Sequence, residues 1–169
     1  MKLSELLGED GFALGVPSGE KRSALRAVAA KLAARTGPSE GAILNVLLRR
    51  ERLGSTATGD GVAVPHAMLD GISEPAAVIA TLKHPISFGA PDDRHVDLLL
   101  GILWPRESRE GFVPALSRSV RLLRQPAYRE CLRNATSSAE AHFGTKAFEA
   151  VSSGCVRYAP SKGAEGMSR

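Results

Sequence analysis

The sequence predicts a single α/β domain, with helices laid against both faces of a buried sheet. Two observations carry that prediction. Residues 96–104, Val-Asp-Leu-Leu-Leu-Gly-Ile-Leu-Trp, are almost uninterrupted apolar sequence, as in a strand covered on both faces. Before and after them lie segments whose apolar residues recur at helical spacing.

The first helix is predicted over residues 22–35, where Leu25, Val28, Ala29 and Leu32 share one face and Thr36-Gly37-Pro38 ends the run. Ser39 caps a second helix with Ile43, Val46 and Leu47 inward. Its last turn carries Arg49, Arg50 and Arg52, where positive charge suits the helix dipole. A Gly/Ser/Thr loop follows over 53–61. Val62 and Val64 then alternate with small residues, as in a short strand. Pro65 has no N–H, so pairing is predicted to stop there and leave His66 where sheet gives way to loop.

Residues 76–82 read as a strand and 83–94 as a loop, the latter on Pro85, Gly89 and Pro91-Asp92-Asp93. The apolar strand 96–104 is stopped by Pro105. A helix is predicted over 109–124 with Phe112, Leu116, Val120 and Leu123 inward. Pro126 suits the first turn of another, ending near Asn134. Ser137 to Glu140 matches a capping box, so a last helix is predicted to about Val151. Residues 1–151 are read as the domain. The Ser/Gly/Pro-rich residues 152–169 are read as a flexible C-terminal tail.

Composition narrows the function. A chain of 169 residues has the length for a real core. Its longest apolar run falls short of the roughly 18 residues of a membrane span, and the first residues do not form a signal core, so a cytoplasmic protein is expected. Cys131 and Cys155 fit no metal spacing and are read as reduced thiols. The net charge is +4, yet basic and acidic residues are interspersed and aromatics are few, which argues against nucleic acid. Only residues 118–124 gather positive charge. A solvated helix face accounts for it more simply than a docking face for an acidic partner.

The chemistry concentrates in Gly59-Asp60-Gly61-Val62-Ala63-Val64-Pro65-His66-Ala67. Gly59 and Gly61 permit positive φ, and Ala67 leaves room beside the ring. A neutral imidazole here is a nucleophile with a pKa near neutrality. His84, His95 and His142 stand in no comparable motif and are read as structural or merely exposed.

Together with Arg50-Glu51-Arg52-Leu53-Gly54-Ser55-Thr56, this stretch resembles the signature of the fructose/mannitol-type enzyme IIA of the bacterial sugar phosphotransferase system, most of all its stand-alone nitrogen-regulatory branch. The resemblance runs from about Lys2 to Val151. It implies a mixed parallel and antiparallel sheet, whose strand order pattern alone does not decide. It also implies that His66 takes a phosphoryl group from a small histidine phosphocarrier protein. Arg50 matches the arginine of the motif, and its planar fork suits a phosphoryl group. Ser55 and Thr56 match its Ser-Thr pair and are candidate phosphate-binding residues through their hydroxyls; capping and turn formation explain each equally well. Glu51 is read as a structural ion-pair partner. No cofactor and no metal is called for, since donor and acceptor are both imidazole. Regulatory targets, a kinase or a transporter, complete the implied partners.

The sequence departs from this pattern at one place that matters. Relatives carry a second histidine at the start of the helix after the apolar strand, where this chain has Phe112. Thr58 also replaces a usual aliphatic residue. Three readings stay open: a phosphoryl-accepting regulator, a weakly phosphorylated or non-catalytic binding protein on the same fold, and a sugar-transport IIA component.

Overall fold

The computed structural model describes residues 1–153. Along the chain run α1 (Leu3–Leu7), β1 (Phe12–Val16), α2 (Lys21–Thr36), α3 (Glu40–Arg52), β2 (Ala57–Gly59), β3 (Val62–Ala63), β4 (His66–Leu69), β5 (Ala76–Ile86), β6 (Val96–Pro105), α4 (Phe112–Leu123), α5 (Pro126–Asn134) and α6 (Ser138–Ser152). The sheet order is β1-β5-β6-β3-β2, with β4 also paired to β6. β1–β5, β3–β6 and β4–β6 are parallel; β5–β6 and β2–β3 are antiparallel. This is the mixed sheet of an α/β domain.

β6 divides the core, because both its faces are covered. Leu99 and Leu103 pack with Val78 and Ala80 of β5 beneath α2 and α3. Leu98, Leu100, Ile102 and Trp104 face the opposite way, toward α1, α4 and Tyr128 of α5. Between them Gly101 lets α2 sit close: a Cβ there would collide with Val28 Cγ1.

Several element ends differ from the sequence reading. The sheet does not stop at Pro65. The proline lacks its own donor, but its carbonyl accepts from Ile102 N at 2.9 Å, so the chain stays beside β6 and pairing resumes at His66. Likewise β5 continues through residues 83–86, which pattern assigns to a loop. The β5–β6 register slips between Thr81 and Ile86, and Pro85 sits inside that irregularity, where its missing N–H costs no ladder bond. Helix α4 begins at Phe112 rather than near Arg109, after Gly111 at φ 82°. It buries Phe112, Ala115, Ser119, Leu122 and Leu123, leaving Leu116 and Val120 only half-covered. Pattern predicts neither α1 nor β1.

Other predictions hold closely. Leu25, Val28, Ala29 and Leu32 of α2 are all fully buried. Ser39 Oγ accepts from Ala42 N at 3.2 Å, as the cap of α3 requires. Pro126 opens α5. Ser137 caps α6 through Glu140 N, while the Glu140 carboxylate reaches one residue further back, to Thr136. The predicted tail starts inside α6 at Ser152; residues 154–169, Cys155 among them, lie outside the described residues.

Candidate functional site

The site forms where three chain segments meet at one end of the sheet. The β2–β3 hairpin turns at Asp60-Gly61, both at positive φ (56° and 77°), as a tight two-residue turn demands. β3 then leads through Val64-Pro65 to His66, the first residue of β4. α3 ends beside it with Arg50, and α4 starts beside it with Phe112.

Two hydrogen bonds orient the His66 ring. Nδ1 lies 2.8 Å from the Val64 carbonyl oxygen. A carbonyl only accepts, so Nδ1 carries the proton and Nε2 the lone pair. Nε2 in turn accepts from Arg50 Nε at 3.2 Å, and Arg50 Nη1 donates to the Gly54 carbonyl at 3.0 Å. The sequence placed Arg50 in the motif; the structure puts its guanidinium on the free nitrogen of the ring.

Burial pushes the His66 pKa below its ordinary value of 6.5. The Val64 carbonyl opposes this, the Arg50 charge adds to it, and the Glu51 carboxylate opposes it. The ring is therefore neutral at pH 7.

A cleft of about 370 Å³ opens onto His66, walled by Arg49, Arg50, Leu53, Met68, Arg106 and Phe112. Its lining carries three guanidinium groups and no carboxylate, as an anion requires. Phe112 is 9% exposed and stacks obliquely on His66, ring centroids 5.8 Å apart, with Trp104 on its other side at 5.7 Å. The Trp104 indole N–H donates to the Ser108 carbonyl and ties down the loop before α4.

Ser55 and Thr56 lie outside this lining. Ser55 Oγ donates to the Phe88 carbonyl at 2.9 Å, and Thr56 Oγ1 donates to Glu51 at 2.6 Å. Glu51 is buried, accepts from Thr56 N as well, and pairs with Lys21 Nζ at 2.9 Å. These contacts fix the loop whose Gly54 carbonyl anchors Arg50. Thr58 sits exposed on β2 and does not line the cleft. His84 and His95 are exposed, and His142 is buried edge-on against Phe12.

Sequence reasoning missed Arg106 and gave Arg49 only a role at the helix end. Arg106 follows Pro105 directly, at the end of β6. Its Nε pairs with Asp70 and its Nη2 donates to the Met68 carbonyl, which brings it over the edge of β4. A cation at the carboxyl end of a buried strand was the available signal.

A family model described as phosphoenolpyruvate-dependent sugar phosphotransferase system, EIIA 2, matches residues 5–143. A protein named nitrogen regulatory protein from Bradyrhizobium diazoefficiens is 37% identical over 133 residues, covering 79% of this chain and 87% of the relative. One of the same name from Pseudomonas aeruginosa is 34% identical over 140 residues, 82% and 90% of the two chains. The crystal structure of the nitrogen regulatory protein IIA-Ntr from Neisseria meningitidis superposes with a TM-score of 0.78 at 27% identity, covering 84% of this chain and 97% of that one. With the family model matching residues 5–143, nearly the whole described domain, the chain belongs to the EIIA 2 family of the phosphoenolpyruvate-dependent sugar phosphotransferase system.

Proposed function

We propose that this chain is a phosphoryl-accepting regulatory enzyme IIA, which takes phosphate from a histidine phosphocarrier protein onto His66 and controls its targets through its phosphorylation state. The observation that carries this reading is the 2.8 Å approach of His66 Nδ1 to the Val64 carbonyl oxygen, which assigns the proton to Nδ1 and leaves the Nε2 lone pair at a cleft walled by arginines. The cytoplasm is the expected compartment; among the described residues no helix is long and apolar enough to cross a membrane.

The transfer balances without an added acid or base. The Nε2 lone pair attacks phosphorus, the donor's P–N bond breaks, and its electron pair returns to the donor ring nitrogen. His66 is left with a phosphoryl group on Nε2 and its proton still on Nδ1. The ring's positive charge is shared with the Val64 carbonyl and lies near the Glu51 carboxylate. Arg50 releases Nε2 as the phosphoryl group arrives and turns the same N–H to a phosphoryl oxygen. Arg49 and Arg106 supply further charge at the wall. Ser55 and Thr56 serve by holding the loop that carries the Gly54 carbonyl.

Phosphoramidate, a small phosphoryl donor, tests the acceptor directly. Wild-type protein is expected to gain one acid-labile, base-stable phosphate, and His66→Ala none while keeping its circular dichroism spectrum. Equal labelling of both proteins overturns the assignment of His66.

A further inference from the structure

Helices α1, α4 and α6 meet around a cavity of about 200 Å³ that shares no lining residue with the His66 cleft. Buried Leu3 and Leu122 give it apolar surface. Its charged lining holds both signs: Lys2, Arg118 and Arg121 against the Glu149 carboxylate. Arg118 and Arg121 stand three residues apart on α4 and so share one helix face.

Glu149 is only 8% exposed, and carboxylates are almost never buried without a cation. Yet no ion pair among the described residues includes Glu149, Lys2, Arg118 or Arg121. Ser4 donates to the carboxylate through its backbone N at 3.2 Å and through Oγ, which ties α1 to α6. These bonds fill two of roughly four acceptor positions, and a glutamine would accept them without burying a charge. The last turn of α6 adds to the cost, because the negative end of the helix dipole lies there. Arg121 suits the last turn of α4 on the same ground, and Arg118 donates to the Met1 carbonyl. Neither cation reaches a carboxylate among the described residues.

We propose that this cavity binds a free acidic α-amino acid. Its ammonium meets Glu149, and its two carboxylates are shared among Lys2, Arg118 and Arg121. Charge-assisted bonds at both ends are then satisfied at once. A dicarboxylate without the ammonium leaves Glu149 uncompensated. An amino acid with one carboxylate leaves the surplus of cations facing each other. Size agrees: a 150 Å³ cavity holds benzene, so this one takes about eight to ten non-hydrogen atoms, as in aspartate and glutamate. The methylene groups of such a ligand lie along Leu3 and Leu122. The proposal stands apart from the phosphoryl acceptor, since the two sites have no lining residue in common.

The test titrates the ¹⁵N-labelled full chain with L-glutamate and L-aspartate at pH 7 and fixed ionic strength. Saturable amide shifts are expected in α1 and in the last turns of α4 and α6, with a Kd between about 10 µM and 1 mM. Glutarate lacks the ammonium and 4-aminobutyrate lacks the α-carboxylate; each should bind roughly tenfold or more weakly, and glutamine several-fold more weakly than glutamate. Arg121→Met, at an exposed position, should weaken glutamate at least about tenfold without unfolding the chain. Glu149→Gln should erase the preference for glutamate over glutarate; should that variant not fold, Arg121→Met and the glutarate comparison decide alone. His66→Ala should bind as wild type does. No saturable shift with either amino acid at about 10 mM, ten times the weakest expected Kd, overturns the proposal. So does glutarate or glutamine binding as tightly as glutamate, or an unchanged Kd in Arg121→Met. Loss of binding in His66→Ala would place the ligand in the other cleft and overturn it equally.

Discussion

The rings of His66 and Phe112 meet obliquely in the wall of the cleft, centroids 5.8 Å apart and planes at 49°, joining the first residue of β4 to the first of α4. Phe112 offers the phosphoryl group neither charge nor donor. Phe112→His should raise the single-turnover rate from phosphoramidate by up to about 10–100-fold, the worth of one charge-assisted hydrogen bond felt in the transition state. Because Phe112 is buried between His66 and Trp104, the same change should cost about 1–3 kcal/mol of stability in urea denaturation. A faster and weaker variant marks a site that traded rate for packing; an unchanged rate shows that position 112 does not touch the chemistry.

Arg50 donates at once to His66 Nε2 and to the Gly54 carbonyl, which a lysine ammonium on its flexible stem does not reproduce. Arg50→Lys is expected to slow phosphoramidate labelling by about 10-fold and Arg50→Ala by up to about 100-fold, since each weakens a charge-assisted contact to the phosphoryl group. Equal rates for all three proteins would remove Arg50 from the mechanism.

The His66 pKa sits below 6.5, chiefly through burial. An NMR titration should place the midpoint of its ring signals below that value, and Arg50→Met should move it upward by removing a neighbouring cation. The labelling rate should be flat above pH 6.5 and fall only once the ring protonates. The sign for stability follows. Between the folded and unfolded pKa values the unfolded chain binds more protons, so the contribution of His66 weakens as pH drops below 6.5 and levels off beneath the folded value.

Glu51 ties Lys21 of α2 to Thr56 of the loop. Glu51→Gln keeps one acceptor but loses the ion pair, at a cost of about 1–2 kcal/mol because Lys21 is partly solvated. Labelling should slow as well, through a loosened Gly54 anchor for Arg50. Full activity in a destabilised Glu51→Gln protein would separate the loop from the site.

Gly101 has Val28 pressed against it. Gly101→Ala should destabilise by about 1–3 kcal/mol through overpacking. Val28→Ala should be less costly in that background than in wild type, and a double-mutant cycle measures the difference. Additive effects would show that α2 moves away freely.

Legibility varied with how local the cause was. The α2 face, the Ser39 cap and the two-sided burial of β6 each follow from residues within a turn or strand, and the sequence showed them. β1 has Gly15 as its penultimate residue and owes its existence to β5, a partner more than sixty residues away. The continuation past Pro65 depends on what the proline carbonyl meets, Ile102 N, which no local pattern encodes. The inward face of α4 was misread because Leu116 and Val120 only flank the core, packing against its edge while staying half-exposed. At the site, the motif singled out His66 and Arg50, while Arg106 reaches the cleft only because β4 and β6 run parallel and end together.

The grip of Val64 on the histidine has a regiochemical consequence. Histidine forms two phosphoramidate isomers, and here the backbone has already chosen between them. The Val64 carbonyl occupies Nδ1, and its own residue is held in place by the bond from Val64 N to the Thr56 carbonyl. If His66 is the acceptor, as proposed, side-chain substitutions around the cleft should alter how fast the ring is modified but leave the modified nitrogen the same.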